Sequence, residues 1–281
     1  MRIYVFKKKR VITLGLLFIS LILFTRIASP KGIESFKPKL SINIKWGPRY
    51  ISIGDINKHL EAFDNYLSEM TSYEGGKIKG LNNYNKTFEG GLRLDVSSKF
   101  AIGVGIEEIS EKNESRFEFT DPFPLYNMVN FHTISTKSEV STVNLKLGTY
   151  YTIPLLRRIN LILNGGIDYY ISKASLYKYH KIDPTGFFIP EWPYEKEEKY
   201  DISAGRFGFH GGIGFEYRIV DDLSIVLEFQ GRYARMKNLK GTKIIAERPW
   251  EDEFRNVWEA VLDFSGYSLR LGIKLNFFRR R

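Results

Sequence analysis

From Phe88 onward the chain alternates apolar and polar residues with a period of two, and this limits its fold more than any other feature. One run sets Phe88, Gly90, Leu92, Leu94 and Val96 against Glu89, Gly91, Arg93, Asp95 and Ser97. After Ser97-Ser98-Lys99, another sets Phe100, Ile102, Val104 and Ile106 against Ala101, Gly103, Gly105 and Glu107. Equivalent runs cover 142–153, 159–169, 206–217, 223–233 and 267–277, and Leu40, Ile42, Ile44 and Trp46 read as a first strand. Successive side chains of a strand point to opposite faces, so each run places one face against an apolar phase. About eight strands are predicted, or ten if Ile244–Ala246 or Phe187–Ile189 also pair.

The second face decides between architectures. It mixes glycine with charges of both signs: Glu89, Arg93, Asp95, Glu107, Lys146, Asp168, Arg206, Glu216, Glu228, Arg232, Arg270 and Lys274, with His210 among them. A soluble sandwich would turn this face to bulk water. A closed barrel of about eight strands has an interior that side chains just fill. Charges placed there need opposite partners, because an unpaired buried charge is costly. The near balance of signs favours a barrel with a polar interior and an apolar outside.

Connections alternate in length. Only a few residues follow the second, fourth and sixth strands, whereas roughly 25–30 follow the first, third, fifth and seventh, far above the usual median of about 4–6. Within the first long connection, Ile56, Leu60, Phe63, Leu67 and Met70 fall on one face of an amphipathic helix from about Asp55 to Met70.

Lys7-Lys8-Lys9-Arg10 precedes an apolar run from Val11 to Phe24. A basic stretch before an apolar one of that length describes a secretory signal peptide, and it is too short for a spanning helix of about 20 residues. The expected division is a signal peptide over 1–28, an N-terminal periplasmic segment over 29–39, the barrel over 40–278 and a basic tail over 279–281. Six of the ten excess positive charges lie in residues 1–28 and three more in Arg279, Arg280 and Arg281. The basic balance belongs to the ends rather than to a patch, so nucleic-acid binding is not expected. The chain has no cysteine, which excludes disulfides, thiolate nucleophiles and Cys-ligated metals.

These features together resemble the bacterial outer-membrane β-barrel superfamily, in particular its small OmpA-, OmpX- and OmpW-type domains. Gly211-Gly212-Ile213-Gly214-Phe215-Glu216-Tyr217, followed by Leu223-Ser224-Ile225-Val226-Leu227-Glu228, looks like their penultimate hairpin. The last strand carries Arg270, Gly272, Leu275 and Phe277 in the spacing of the C-terminal signal read by the barrel-assembly machinery, although it continues through Phe278 to three arginines. The resemblance implies an all-β, antiparallel up-and-down transmembrane barrel. It would sit in the outer membrane with long loops extracellular and termini periplasmic. Its implied partners are outer-membrane lipids, the assembly machinery during biogenesis and an extracellular ligand of unknown kind.

No cofactor is expected. His210 is the one histidine expected inside the barrel; His59, His132 and His180 are expected in outer-rim loops without metal-ligand spacing. Ser203 and His210 fall on opposite faces of one strand, and no Ser/His/acid set can be placed at one rim, so an enzyme is not expected. The outer loops are rich in aromatics: Phe117, Phe119, Phe123, Tyr126 and Phe131, then Phe187, Phe188, Trp192 and Tyr194, then Trp250, Phe254 and Trp258. Packing on the strand extensions is the favoured role for them. The leading expectation is a non-enzymatic barrel of structural or surface-interaction type. The alternatives are a passive channel for small or hydrophobic solutes and a rim-located lipid-modifying enzyme.

Overall fold

A computed structural model describes residues 38–123, 128–185, 194–248 and 252–277. The proposed signal peptide, Phe187–Ile189 and the C-terminal arginines lie outside these residues. In chain order the elements are β1 (Lys39–Ile51), α1 (Asp55–Met70), β2 (Tyr84–Asp95), β3 (Phe100–Phe123), β4 (Met128–Pro154) and β5 (Ile159–Thr185). They continue with β6 (Tyr194–Val220), β7 (Leu223–Tyr233), β8 (Arg235–Arg248), β9 (Asp252–Asp263) and β10 (Gly266–Phe277).

All pairing is antiparallel. The ring runs β1-β2-β3-β4-β5-β6-β7-β10 and closes where β10 pairs with β1, with Leu40 opposite Phe277 and Tyr50 opposite Tyr267. Ten strand segments therefore fill eight places in the wall. β8 prolongs β7 and β9 leads into β10, so the pairing of Ile244–Ala246 lengthens the last hairpin without widening the barrel. Tight turns at 96–99, 155–158 and 221–222 lie on the same rim as both strand ends.

The membrane band is legible on the outer face. Ile44, Leu147, Ile167, Ile213, Leu227 and Ile273 are exposed there, bordered by aromatic side chains such as Phe100, Tyr151 and Tyr217 on one side and Tyr84, Phe207, Tyr233 and Tyr267 on the other. From Tyr267 to Phe277, at about 3.3 Å per residue and a tilt of about 40°, the band is roughly 25 Å tall, the height of an outer-membrane apolar belt.

The expected long loops are mostly strand. β3 runs to Phe123 and β4 begins at Met128, while β5 runs to Thr185 and β6 begins at Tyr194. The period-two signal fades there because both faces change character beyond the membrane. On β3 the outer face changes from Ile106 to the exposed Glu108, Ser110 and Glu114, while the inner face changes from Glu107 to Ile109.

β2 stops pairing with β3 at Glu108, so the wall above the membrane, β3-β4-β5-β6-β8-β9, is open between β3 and β9. The segment between β1 and β2 fills that seam. On the β9 side, Gly54 bridges Leu262 and Asp55 accepts a hydrogen bond from the Val261 amide at 2.7 Å. On the β3 side, the Ser72 amide donates to Asp121 at 3.1 Å, and Asn113 donates to the Lys79 carbonyl. The otherwise bare edge of β3 is thereby covered. Gly54 takes a φ of 86° at this sharp entry into α1, a conformation that suits glycine.

Candidate functional site

Within the membrane band, inward residues form one ion-paired lattice. At its centre Glu89 meets Lys45 at 3.1 Å and also pairs with Lys146 and Arg270, while Glu228 meets Lys45 at 2.9 Å and pairs with Arg270. Lys146 Nζ also donates to Gln230 at 2.8 Å. Above this, Glu107 meets Arg232 at 2.9 Å and Lys146 at 3.2 Å, and Thr87 donates to it. Arg49 lies 4.0 Å from Glu107 and 3.7 Å from Glu111, linking the lattice to the level above the belt. Toward the turn rim, Glu216 meets Lys274 at 3.1 Å and Arg93 at 3.9 Å, and Arg93 meets Asp95 at 3.0 Å. Lys45, Arg49, Arg93, Lys146, Arg232, Arg270 and Lys274 thus face six carboxylates, Glu89, Asp95, Glu107, Glu111, Glu216 and Glu228.

His210 stands to one side. Its Nδ1 lies 2.8 Å from Asp168, which also accepts from Tyr170 at 3.2 Å. The ring occupies a hollow left by Gly148 and Gly166; a Cβ on Gly166 would come within 2.8 Å of it.

Arg206 departs from the expected set. Its backbone is opposite Tyr170 at inward parity, but the side chain is exposed. β6 pairs with β8 up to Ile202 and with β7 only from Phe209, so residues 203–208 lack a ladder partner on that side. The wall is open beside Arg206, and the long side chain reaches solvent instead of joining the lattice. Conversely, Lys45, Arg49 and Gln230 join the lattice from outside the predicted set. Lys45 and Arg49 share the inward parity of a first strand whose apolar residues, Ile44 and Trp46, mark the opposite face, so the signal is present in the sequence.

Above the lattice the lumen becomes apolar. Ile109, Ile134, Val140, Leu176, Ile202, Met236, Leu262 and Phe264 line it, and α1 presents Ile56, Leu60 and Leu67 to them, all buried. Phe117 and Phe119 pack on this core from β3, stacking near Tyr73. These two aromatics therefore serve packing; Phe131 instead faces outward and is exposed. Tyr126, Phe187, Phe188, Trp192 and Trp250, and the side chains of Phe123, Phe254 and Trp258, lie outside what the structure describes. Asp64 secures the chain after α1, accepting from the Tyr73 hydroxyl at 2.7 Å, the Ile78 amide at 3.1 Å and the Gly76 amide. Burial raises its affinity for a proton, but these donors outweigh burial and hold the carboxyl below its usual range.

The remaining histidines are not in loops. His59 lies on α1 and stacks on Tyr200, while His132 and His180 lie on β4 and β5 inside the extension. His132 Nδ1 and His180 Nε2 are 3.0 Å apart, and Phe119 stacks on His132 at 4.5 Å. Burial lowers both imidazoles, His180 to about 4, helped by His132 and Lys196 nearby. Lys178 meets Glu198 at 2.8 Å and Tyr200 donates to the same carboxyl at 2.7 Å, at the contact with Phe63 of α1. Among the described residues no group of three or more His, Asp or Glu side chains could hold a metal ion. Ser203 faces outward and His210 inward, so the two are not brought together.

No protein-family model matches the chain, and no curated sequence is similar to it. Solved structures are similar in fold at low identity. A major outer membrane protein of Thermus thermophilus aligns at 10% identity and a TM-score of 0.42, over 86% of this chain and 100% of that one. The outer membrane protein OprG of Pseudomonas aeruginosa aligns at 9% and 0.41, over 84% and 95%. The outer membrane protease OmpT of Escherichia coli aligns at 8% and 0.36, over 87% and 99%. These neighbours are bacterial outer-membrane proteins; the closed register and the apolar belt described above make this chain a small antiparallel β-barrel with a membrane-facing outer surface.

Proposed function

We propose that the protein is an outer-membrane barrel of structural or surface-interaction type without catalytic activity, which anchors a β-wall and its seam-filling helix at the cell surface. In this reading residues 1–28 direct export, the long end of the barrel is extracellular and the termini are periplasmic. Outer-membrane lipids surround the belt. The assembly machinery reads Arg270, Gly272, Leu275 and Phe277; Leu275 and Phe277 point outward and Arg270 and Gly272 inward.

One observation supports this reading above the others: the lumen is filled along its length, first by the ion-paired lattice and then by the apolar core under α1. The matching experiment is single-channel recording of the purified full chain in a planar bilayer. No stepwise conductance is expected. Steps from the wild-type protein, abolished by a reversible block on the extracellular side, would replace the reading with a channel.

The interruption of the wall at 203–208 favours a second reading, a passive path for hydrophobic solutes leaving sideways between β6 and β7–β8. Faster uptake of a fluorescent apolar probe into vesicles carrying the protein, with no ion conductance, would favour that path.

A further inference from the structure

A cavity of about 750 Å³ opens on the outside of the wall where β4, β5, β6 and β8 meet. The register shows how it is built. Ser141, Lys173 and Ser203 form one row across β4, β5 and β6. The next row outward from the membrane is Glu139, Ser175, Asp201 and Thr242.

The rows below these are the top of the apolar band. Val143 and Ile171 lie directly beneath, then Leu145, Tyr169 and Phe207, the last two with ring centroids 4.9 Å apart. The β6 place in the Val143–Ile171 row is Gly205, whose missing side chain makes room for the Tyr169 hydroxyl, so that the Tyr169 ring forms the membrane-side floor of the cavity.

We propose that this cavity binds the phosphorylated sugar headgroup of a lipid lying against the barrel. Lys173 is exposed and stands in the row nearest the membrane, flanked by two serine hydroxyls, an arrangement that suits a phosphate at headgroup depth. Glu139, Ser175, Asp201 and Thr242 lie one step farther out, where carboxylates and hydroxyls accept and exchange hydrogen bonds with sugar hydroxyls. Asp201 is already paired with Lys199 at 3.4 Å, and Glu139 lies opposite Lys112 on β3, which reduces repulsion of an anion. The acyl chains would follow Val143 and Ile171. A free sugar phosphate would gain nothing from the apolar rows, so the lipid is the favoured source of this chemistry.

The proposal rests on the barrel standing in a membrane as described above. Its test is binding of lipid A, a phosphorylated disaccharide lipid, to the full chain in detergent micelles, read by native mass spectrometry. That measurement is independent of which membrane the cell places the protein in. Lys173→Glu and the cavity-filling Ser203→Trp should each weaken lipid A binding about tenfold or more, and Lys58→Glu, an exposed change on α1, should not. The slower migration of boiled samples in gels should be retained by all three, showing that the barrel is intact. Unchanged binding in both cavity variants would overturn the proposal. Equal binding of dioleoylphosphatidylglycerol would reduce the site to a phosphate contact, and equal binding of glucose 1-phosphate would make the ligand soluble; either would also overturn it.

Discussion

Ile109 follows Glu107 on the inward face of β3, and between these two residues the lumen changes from ion-paired to apolar. On the outward face the reverse change falls between Ile106 and Glu108. The same double reversal occurs on β7–β8, where Arg232 gives way to Ala234 and Met236 inside while Tyr233 gives way to Arg235 and Lys237 outside. A membrane explains both halves. Inside the belt the outer face meets hydrocarbon, so polar groups can only be sequestered in the lumen. Above it the outer face meets water, and the apolar residues turn inward under α1.

The lattice should fail when a shared cation is removed. Arg270 is fully buried and serves both Glu89 and Glu228. Arg270→Met would leave two carboxylates with one fewer partner, and breaking a buried pair in this way costs about 3–5 kcal/mol. Urea unfolding in detergent, followed by gel mobility, should show a loss of that size. A loss below about 1 kcal/mol would mean that water rather than Arg270 satisfies the carboxylates.

The cap should be separable from the barrel. Leu60 and Leu67 on α1 are buried within the upper apolar core. Leu67→Ala creates a cavity expected to cost about 2–5 kcal/mol of cap stability. Limited proteolysis should then cut within 52–83 while the barrel keeps its gel mobility. Loss of the mobility shift at the same time would show that the wall cannot close without α1.

Acid should loosen the cap before the barrel. A histidine in the unfolded chain takes up a proton near 6.5, whereas His180 in place does so only near 4. The unfolded state binds more protons across that interval, so the stability contributed by the neutral imidazole is complete above about 6.5 and declines as the pH falls toward 4. Around His180 stand His132 on β4, Asp121 on β3 and Lys196 and Tyr194 on β6. Hydrogen exchange of the β4 and β5 extensions should accelerate over this range in the wild type and show little dependence in His180→Phe.

Gly166 should control the setting of His210. A methyl group at residue 166 would meet the imidazole and, more severely, the backbone of Leu147 and Gly148. Gly166→Ala is therefore expected to shift the His210 ring signal in a histidine-selective NMR spectrum and to lower stability by about 1–3 kcal/mol through overpacking. An unmoved ring signal would show that β4 and β5 part instead.

Much of this is readable from the alternation, because hydrocarbon imposes a strict rule on every second residue from Phe88 to Ile106 and again from Tyr267 to Phe277. Lys146, Glu228 and Arg270 can be assigned to the interior from parity alone. Beyond the belt the rule weakens: Ile109 and Ile134 are inside, but Thr136 and Ser138 are inside as well, so β3 to β6 read as loops past the membrane. Arg206 shows a different limit. Parity fixes its backbone direction, but whether its side chain stays inside depends on pairing between β6 and β7–β8, which no local pattern encodes.

The position of the membrane follows from the outer face and can be tested residue by residue. Leu271 lies near the middle of β10, exposed, between Tyr267 and Phe277 at the band's edges. A charge at the midplane of such a belt costs about 2–4 kcal/mol, falling to about 0–1 near the interfaces. Leu271→Arg should therefore reduce stability in lipid bilayers by the larger amount. Ser110→Arg, on the outer face of β3 beyond Glu108, should be nearly neutral because its side chain already meets water. Ile106 lies at the boundary, so Ile106→Arg is expected to fall between them. This gradient should appear in bilayer unfolding titrations and should shrink in mild detergent, where water reaches the belt more easily. Equal effects of all three substitutions would place the membrane elsewhere on the barrel and remove the reason for the reversal between Glu107 and Ile109.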